Sequence, residues 1–274
     1  MWRALLLVAL LVGWLQPTFS QRVESFAVAY YDVDKMYDTL PSKFYDDSDF
    51  TPSGRLGWNT ERYNRKVERV AQVIDSMAMP IVGLYGVENE QVVRDIVGCS
   101  KGDYAYLYRQ SDSFDGLDFA LLYYGDVFFP HKVTPWRGAL CIEGEVGCVP
   151  LTLILSHRCN SLGVLLSEIN RASDSNIIII GDCGKLKFKN FGIFDASAAA
   201  EKRGYGNRIS QGMWKMRDRV LHSLGPSYKA EVYIHQWLLS PEGVPLPTYD
   251  GGRYCAGYSN SLPIFIYFDK IFVH

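Results

Sequence analysis

The sequence predicts a layered α/β protein, a four-layer α/β/β/α sandwich in which helices cover two packed mixed sheets. Short apolar runs rich in β-branched and aromatic residues recur along the chain, and segments with helical spacing separate several of them. The run Asn176–Gly181 contains four consecutive isoleucines, as expected of a strand buried on both faces. Polar residues such as His157 and Asp182 follow predicted strand ends, which is where a layered α/β fold places its site.

The first half of the chain alternates strands and helices. Asn59 or Thr60 can cap the first helix, because both side chains can accept a hydrogen bond from the first turn. Apolar residues then recur at helical spacing from Tyr63 to Met77. The predicted elements are a strand over Phe26–Val33, a long polar loop over Pro41–Gly57, this helix, a strand over Met79–Tyr85, a helix over Glu90–Val97, and strands over Ala105–Tyr108 and Leu117–Tyr124.

The second half begins with a predicted hairpin, whose strands Gly138–Ile142 and Val149–Ser156 are joined by a turn. A helix follows over Leu162–Ala172, and the isoleucine-rich strand comes next. Asp218 lies in a Lys- and Arg-rich stretch that is interpreted as helical. Three structured segments complete the chain, Gly212–Ser223, Ala230–Leu238 and Leu262–Phe268.

Composition narrows the class of protein. Hydrophobic residues make up 48% of the 274 residues and aromatic residues 14%, which allows a sizeable core and excludes a disordered chain. The formal net charge of −2 gives no strong general attraction to nucleic acid. There is no internal repeat, low-complexity tract or Pro/Gly/Ser-rich linker, so residues 21–274 are expected to form one domain.

The first twenty residues have the pattern of a secretory signal peptide. Arg3 precedes the apolar run Ala4–Leu15, and small residues precede a possible cut between Ser20 and Gln21. The apolar run is shorter than the roughly 20 residues that span a bilayer, so a retained anchor is the weaker alternative. We expect residues 1–20 to be removed, leaving an exported periplasmic or extracellular protein with no membrane span.

The six cysteines suggest disulfides, because an exported protein can keep them. Cys141 and Cys148 flank the expected hairpin turn and are predicted to pair across it. Cys159 and Cys183 follow the strand ends that carry His157 and Asp182, and would bridge the cleft if those strands are neighbours. Six cysteines allow fifteen pairings, so the connectivity stays open.

Seven motifs between Ala29 and Phe268 contain the candidate site residues. They are Ala29–Thr39 with Asp32, Ile81–Asn89 with Gly86, Gly116–Tyr123, Ser156–Arg158 with His157, Ile180–Gly184 with Asp182 and Gly184, Trp214–Asp218 with Asp218, and Gly257–Pro263 with Asn260 and Ser261. In this order they resemble the endonuclease/exonuclease/phosphatase superfamily, the metal-dependent phosphodiesterases and phosphatases related to deoxyribonuclease I. The exported bacterial branch is the most similar.

The resemblance implies which catalytic groups remain. His157, Asp182 and Asp218 match the family's residues. Five positions depart from the pattern: Asp32 replaces an active-site Asn, Gly86 the metal-binding Glu, Gly184 an Asn, and Asn260 and Ser261 the Asp-His dyad that activates water. Ser261 cannot accept a proton at neutral pH as imidazole does, and Gly86 offers a metal no side-chain oxygen.

These substitutions predict a catalytically impaired pseudoenzyme that acts as a binding or scaffold protein. No cofactor is then expected, and its partner is an unknown protein or ligand of the cell envelope. The alternative is a phosphodiesterase, nuclease or phosphatase, with a rearranged centre that uses Mg²⁺ or Mn²⁺. In that case Asp32 and Asp182 are the candidate metal ligands, and Glu88 could replace the missing Glu by swinging in.

Each retained residue also has a structural interpretation. Asp182 could cap a turn, His157 could be a hydrogen-bonded structural residue, and Asp218 could form a surface salt bridge. An accessory protein of the envelope is a further alternative, which rests only on export and aromatic content.

Overall fold

The computed structural model describes residues 24–110, 113–172, 175–184 and 191–271. The proposed leader, residues 1–20, lies outside them. No helix in the described part of the chain is long and apolar enough to cross a bilayer.

The described chain contains sixteen strands and four α-helices. The strands are β1 (Glu24–Met36), β2 (Ile81–Val87), β3 (Ala105–Arg109), β4 (Asp118–Tyr123), β5 (Phe128–Trp136), β6 (Ala139–Val146), β7 (Val149–His157), β8 (Asn176–Asp182), β9 (Phe194–Asp195), β10 (Arg208–Ser210), β11 (Met213–Lys215), β12 (Arg219–His222), β13 (Ala230–Val232), β14 (Tyr249–Asp250), β15 (Arg253–Tyr254) and β16 (Ile264–Ile271). The helices are α1 (Thr60–Met77), α2 (Glu90–Cys99), α3 (Leu162–Ala172) and α4 (Ala198–Lys202).

Two six-stranded mixed sheets form the centre of the fold. The first has the strand order β13-β16-β1-β2-β4-β3 and the second β5-β6-β7-β8-β12-β9, while β10-β11 and β14-β15 are separate hairpins. Val28 of β1 and Leu153 of β7 belong to one apolar cluster between the sheets. Helices α1 and α2 pack on the outer face of the first sheet, and α3 on that of the second. The predicted α/β sandwich of two packed mixed sheets is confirmed.

Local sequence explains the first helix. The Asn59 side chain accepts a hydrogen bond from Arg62 N at 3.0 Å, which confirms the predicted cap. The buried side of α1 includes Val67, Val70 and Ile74, as its periodicity predicts. The helix therefore connects β1 to β2 as a parallel crossover across the outer face of the sheet.

The hairpin between β6 and β7 turns later than predicted. Strand β6 continues to Val146, which pairs with Val149, so the turn consists of Gly147 and Cys148. Gly147 has a φ of 61°, which suits glycine. Cys141 lies five residues before Val146 in β6, where it pairs with Ile154 of β7. At about 3.3 Å per residue this separation far exceeds the roughly 7 Å limit between the Cα atoms of a disulfide.

The predicted Cys141–Cys148 disulfide is therefore wrong, and none of the six cysteines forms a disulfide in the structure. Cys159 and Cys183 are also unbridged, and both are buried in the apolar cluster beneath α3. Both thiols are buried because this cluster fills the space between α3 and the outer face of the second sheet.

Thiol labelling tests this arrangement. Alkylation of the protein, purified without reductant and then denatured, is expected to modify six thiols per chain, because no cysteine is bridged. Intact mass spectrometry measures the number of added groups. Recovery of a peptide pair joined through Cys141 and Cys148 would contradict the register of β6 with β7.

The segment from Gly212 to Ser223 also differs from its interpretation as helical. It forms β11, a short connection and β12, because β12 pairs antiparallel with β8. Asp218 lies in the connection and is only 2% exposed, so the surface salt-bridge interpretation is wrong.

Candidate functional site

The retained residues meet where the central strands of both sheets end. The parallel pairing of β7 with β8 sets His157 directly opposite Asp182. The parallel pairing of β1 with β2 sets Asp32 beside Tyr85. Asp218 enters from the connection before β12, and its charge acts on both Asp32 and Asp182. The structure therefore brings the four predicted polar residues to one end of the sandwich.

A pair of irregularities shapes the rim formed by β1 and β2. The register between the strands shifts after Asp32, where Asp34 and Lys35 have φ values of 56° and 55°. Gly86 has a φ of 93°, a conformation in which a side chain would be strained. A Cβ at Gly86 would lie 3.5 Å from Asp32 Oδ1, so this missing side chain faces the site.

Two buried carboxyl groups have raised pKa values. Burial, followed by repulsion from Asp34, raises the pKa of Asp32 to about 6. Burial, followed by repulsion from Asp32, raises the pKa of Asp218 to about 7. Asp218 accepts a hydrogen bond from the Asn207 side chain, and Arg208 Nη1 lies 4.0 Å from Asp32 Oδ2. Asp218 is therefore held by a neighbouring side chain inside the fold.

The His157 imidazole packs between the sheets. It stacks on the Tyr85 ring with the ring centres 3.7 Å apart. Burial lowers the pKa of His157 to about 4, against the opposing effect of Asp182 and with a smaller contribution from nearby arginines. Its Nδ1 is buried without a hydrogen-bond partner among the described residues. The ring is therefore neutral at neutral pH, and no carboxylate orients it through Nδ1.

Arginines neutralise Asp182. Arg217 Nε lies 2.8 Å from Asp182 Oδ2, and Arg158 Nε lies 3.7 Å from the same oxygen. The other carboxylate oxygen accepts a hydrogen bond from Gly184 N at 3.0 Å. Asp182 therefore does cap the turn after β8, as its structural interpretation predicts, and it also holds two cations.

The closing motif is hydrogen-bonded to the rest of the protein and contains no carboxylate or imidazole. The Ser261 hydroxyl, 2% exposed, donates to Asn260 Oδ1 at 3.2 Å. Ser259 Oγ donates to the carbonyl oxygen of Asp32 at 2.6 Å and accepts from Ser261 N at 3.1 Å. These bonds fix the motif against β1, so the position of Ser261 reflects a packed loop.

Sequence reasoning missed a buried lysine below this loop. Lys66 is 2% exposed, and its Nζ donates to Thr248 Oγ1 at 2.7 Å and to the carbonyl oxygen of Tyr258. Burial lowers its pKa to about 8. Its position beside Val67, on the apolar side of α1, is the signal that could have identified it. Lys66 anchors the closing segment to the helix.

Glu88 does not reach the site. Its carboxylate accepts from Tyr45 Oη at 2.7 Å and from Asp38 N at 2.6 Å. Burial raises its pKa to about 7. The side chain is therefore bound to the loop after β1, and the alternative in which Glu88 replaces the missing Glu has no geometric support.

The divalent cation that the resemblance implies does not fit these residues. Gly86 provides no side-chain oxygen, and one carboxylate oxygen each of Asp32 and Asp182 lies beside a guanidinium group. Within the described ranges, no group of three His, Cys, Asp or Glu side chains is arranged to hold a metal. The proposed Asp32–Asp182 pair is therefore not assembled as a metal centre.

The two six-stranded sheets, with polar residues at their strand ends, define a layered α/β sandwich of two packed mixed sheets. Residues 27–142 match the model of the Endonuclease/Exonuclease/phosphatase family. No curated protein has a matching sequence.

Solved structures share the fold over most of the chain. Truncated TDP2 from Caenorhabditis elegans is 15% identical, with a TM-score of 0.57 over 89% of this chain and 98% of that one. An endonuclease/exonuclease/phosphatase from Bacteroides vulgatus is 12% identical, with a TM-score of 0.58 over 90% and 100%. TDP2 from D. rerio, complexed with single strand DNA product, is 16% identical, with a TM-score of 0.54 over 89% and 98%. At these identities the likeness shows the fold alone.

Proposed function

We propose that this chain is an exported, catalytically impaired member of the superfamily that binds a ligand or a protein of the cell envelope. The closing motif carries the proposal. The family's proton-accepting His is replaced by Ser261, whose hydroxyl is buried and donates to Asn260. Loss of a general base typically costs about 10²–10⁴-fold in rate, and no carboxylate or imidazole stands at this position.

The remaining imidazole is a poor substitute for that base. His157 has a pKa of about 4 because it is buried, so it accepts a proton only weakly at neutral pH. It is also held flat against Tyr85. These contacts support a role for His157 in joining the two sheets.

A cleft beside the closing motif offers space for a ligand. Its volume is about 410 Å³, within the range of small-molecule sites. Lys35, Arg208, Trp58, Tyr249 and Asn260 are among its lining residues. Charged groups over aromatic walls support binding, and the signal-like pattern of residues 1–20 supports export.

The alternative is a metal-dependent phosphodiesterase with a rearranged site. It is favoured by the register that keeps His157 opposite Asp182 at the end of adjacent strands. The D. rerio TDP2 structure, which shares the fold, contains a single strand DNA product.

An activity assay separates the two functions. The purified protein is incubated with Mg²⁺ or Mn²⁺, plasmid DNA and a generic phosphodiester, beside the His157→Ala variant. We expect turnover at the level of the protein-free blank for both, because Ser261 supplies no base and Gly86 no metal-binding carboxylate. Circular dichroism confirms folding. Turnover that disappears in His157→Ala would establish the enzyme instead.

A further inference from the structure

Two guanidinium groups flank the Asp182 carboxylate. Arg217 Nε and Arg158 Nε lie 2.8 Å and 3.7 Å from Asp182 Oδ2, and that oxygen accepts no hydrogen bond from the described residues. The Asp182 side chain is 8% exposed, whereas those of Arg217 and Arg158 are 40% and 65% exposed. The carboxylate is thus enclosed, and the guanidinium groups extend from it toward solvent.

A third guanidinium group lies beside Asp32, at the edge of the neighbouring cleft. Arg208 Nη1 is 4.0 Å from Asp32 Oδ2, and Arg208 also lines the cleft beside Asn260. All three arginines also act electrostatically on His157. Three guanidinium groups of the protein therefore stand at this end of the sandwich, beside the carboxylates of Asp32 and Asp182.

The arginines keep donors available. A guanidinium group has five N–H donors, and none from Arg158 or Arg217 is used in a hydrogen bond to Asp182 Oδ2. Among the described residues, neither arginine forms a second ion pair. Planar guanidinium groups bind phosphate oxygens well, often through two parallel hydrogen bonds.

We infer that Arg158 and Arg217 take the electrostatic role of a divalent cation beside Asp182, and that they bind a phosphate-like oxyanion without metal. This inference rests on the proposed function, and it assigns the ligand chemistry of the impaired cleft. Asp182 then competes with the ligand for the two arginines. In a metal-bridged site Asp182 would instead hold the cation that holds the ligand.

The two arrangements predict opposite effects of one substitution. Asp182→Asn removes the competing charge but keeps an oxygen that can accept from Gly184 N. With inorganic phosphate as the probe, calorimetric titration of the full chain in EDTA should show affinity roughly three- to tenfold tighter for Asp182→Asn than for the natural sequence. Adding Mg²⁺ should leave both affinities unchanged.

Removal of the arginines should have the reverse effect. The double variant Arg158→Gln/Arg217→Gln is expected to weaken phosphate binding about tenfold. If it does not fold, the single variant Arg158→Gln serves, because its side chain is 65% exposed, and a loss of about threefold is expected. Circular dichroism verifies folding of each variant.

Glu143→Gln is the matched control. It removes the carboxylate that forms an ion pair with Lys132 at 2.6 Å, between β6 and β5. Glu143 lies four residues along β6 from Ala139, which is at the same end of the sheet as the site. Phosphate affinity should not change. Four results would overturn the inference. They are weaker phosphate binding by Asp182→Asn, loss of binding in EDTA, equal affinity after removal of the arginines, and no binding by the folded natural chain. Turnover in the activity assay would reject the proposed impairment without altering these binding results.

Discussion

Gly181→Ala is expected to destabilise the protein by about 4 kcal/mol, which is exceptional for one methyl group. Gly181 has a φ of 118°, and an added Cβ would lie 2.2 Å from the carbonyl oxygen of Ser156 and 2.8 Å from the Tyr30 ring. Ser156 is its partner on β7, so a backbone atom of the paired strand would have to move. Because protein interiors are close-packed, moving that backbone atom lowers the stability of the folded state.

Urea unfolding followed by fluorescence measures the loss. Gly98→Ala is the matched control, because Gly98 lies in α2 and an added Cβ meets no atom within 4 Å. Replacing a helical glycine with alanine should leave stability equal or raise it by up to about 1 kcal/mol. A loss below about 1 kcal/mol for Gly181→Ala would show that the strand ends are not packed as described.

Acid should destabilise the protein through His222. This residue of β12 is fully buried among Phe194, Tyr228 and Phe268, and its Nδ1 accepts from Leu224 N at 3.2 Å. Burial lowers its pKa to about 4. An unfolded imidazole titrates near pH 6.5, so only the unfolded chain takes up the proton between these values. Stability is intact above about pH 6.5 and falls by about 3 kcal/mol as pH drops toward 4.

The variant His222→Asn isolates this contribution. Its side-chain oxygen can accept from Leu224 N but does not titrate. Unfolding free energies of both proteins are measured from pH 7.5 to pH 4, and the advantage of the natural sequence should shrink by about 3 kcal/mol. The variant His131→Asn is the control, because His131 is an exposed residue of β5. The difference between its unfolding free energy and that of the natural sequence should stay nearly constant. A constant difference for His222→Asn as well would contradict burial of a neutral imidazole.

The site was predicted from sequence to the extent that it depends on strand ends. The run Asn176–Gly181 and the strand before His157 are adjacent and parallel, so their end residues meet. The order of motifs also placed Asp32 and Asp218 near each other. The comparisons confirm the fold, and the family model matches residues 27–142. The impairment, the export and the partner stay predictions.

Non-local pairing decided what the sequence could not. The true turn at Gly147 and Cys148 follows from the register of β6 with β7, and that register separates Cys141 from Cys148. Asp218 is buried because β12 pairs with β8, although its neighbours along the chain are charged. A local pattern does not contain the partner strand, so it could not distinguish these outcomes.

The sequence by itself determined the class of fold and the first helix with its cap at Asn59. It also determined that Gly86 and Ser261 stand where the resemblance implies a Glu and a His. Only the tertiary structure decided which charges meet. Arg158 and Arg217 stand 24 and 35 positions from Asp182 in the chain, yet both reach its carboxylate because β7, β8 and β12 lie side by side. Electrostatic interaction depends on distance in space, and folding alone sets that distance.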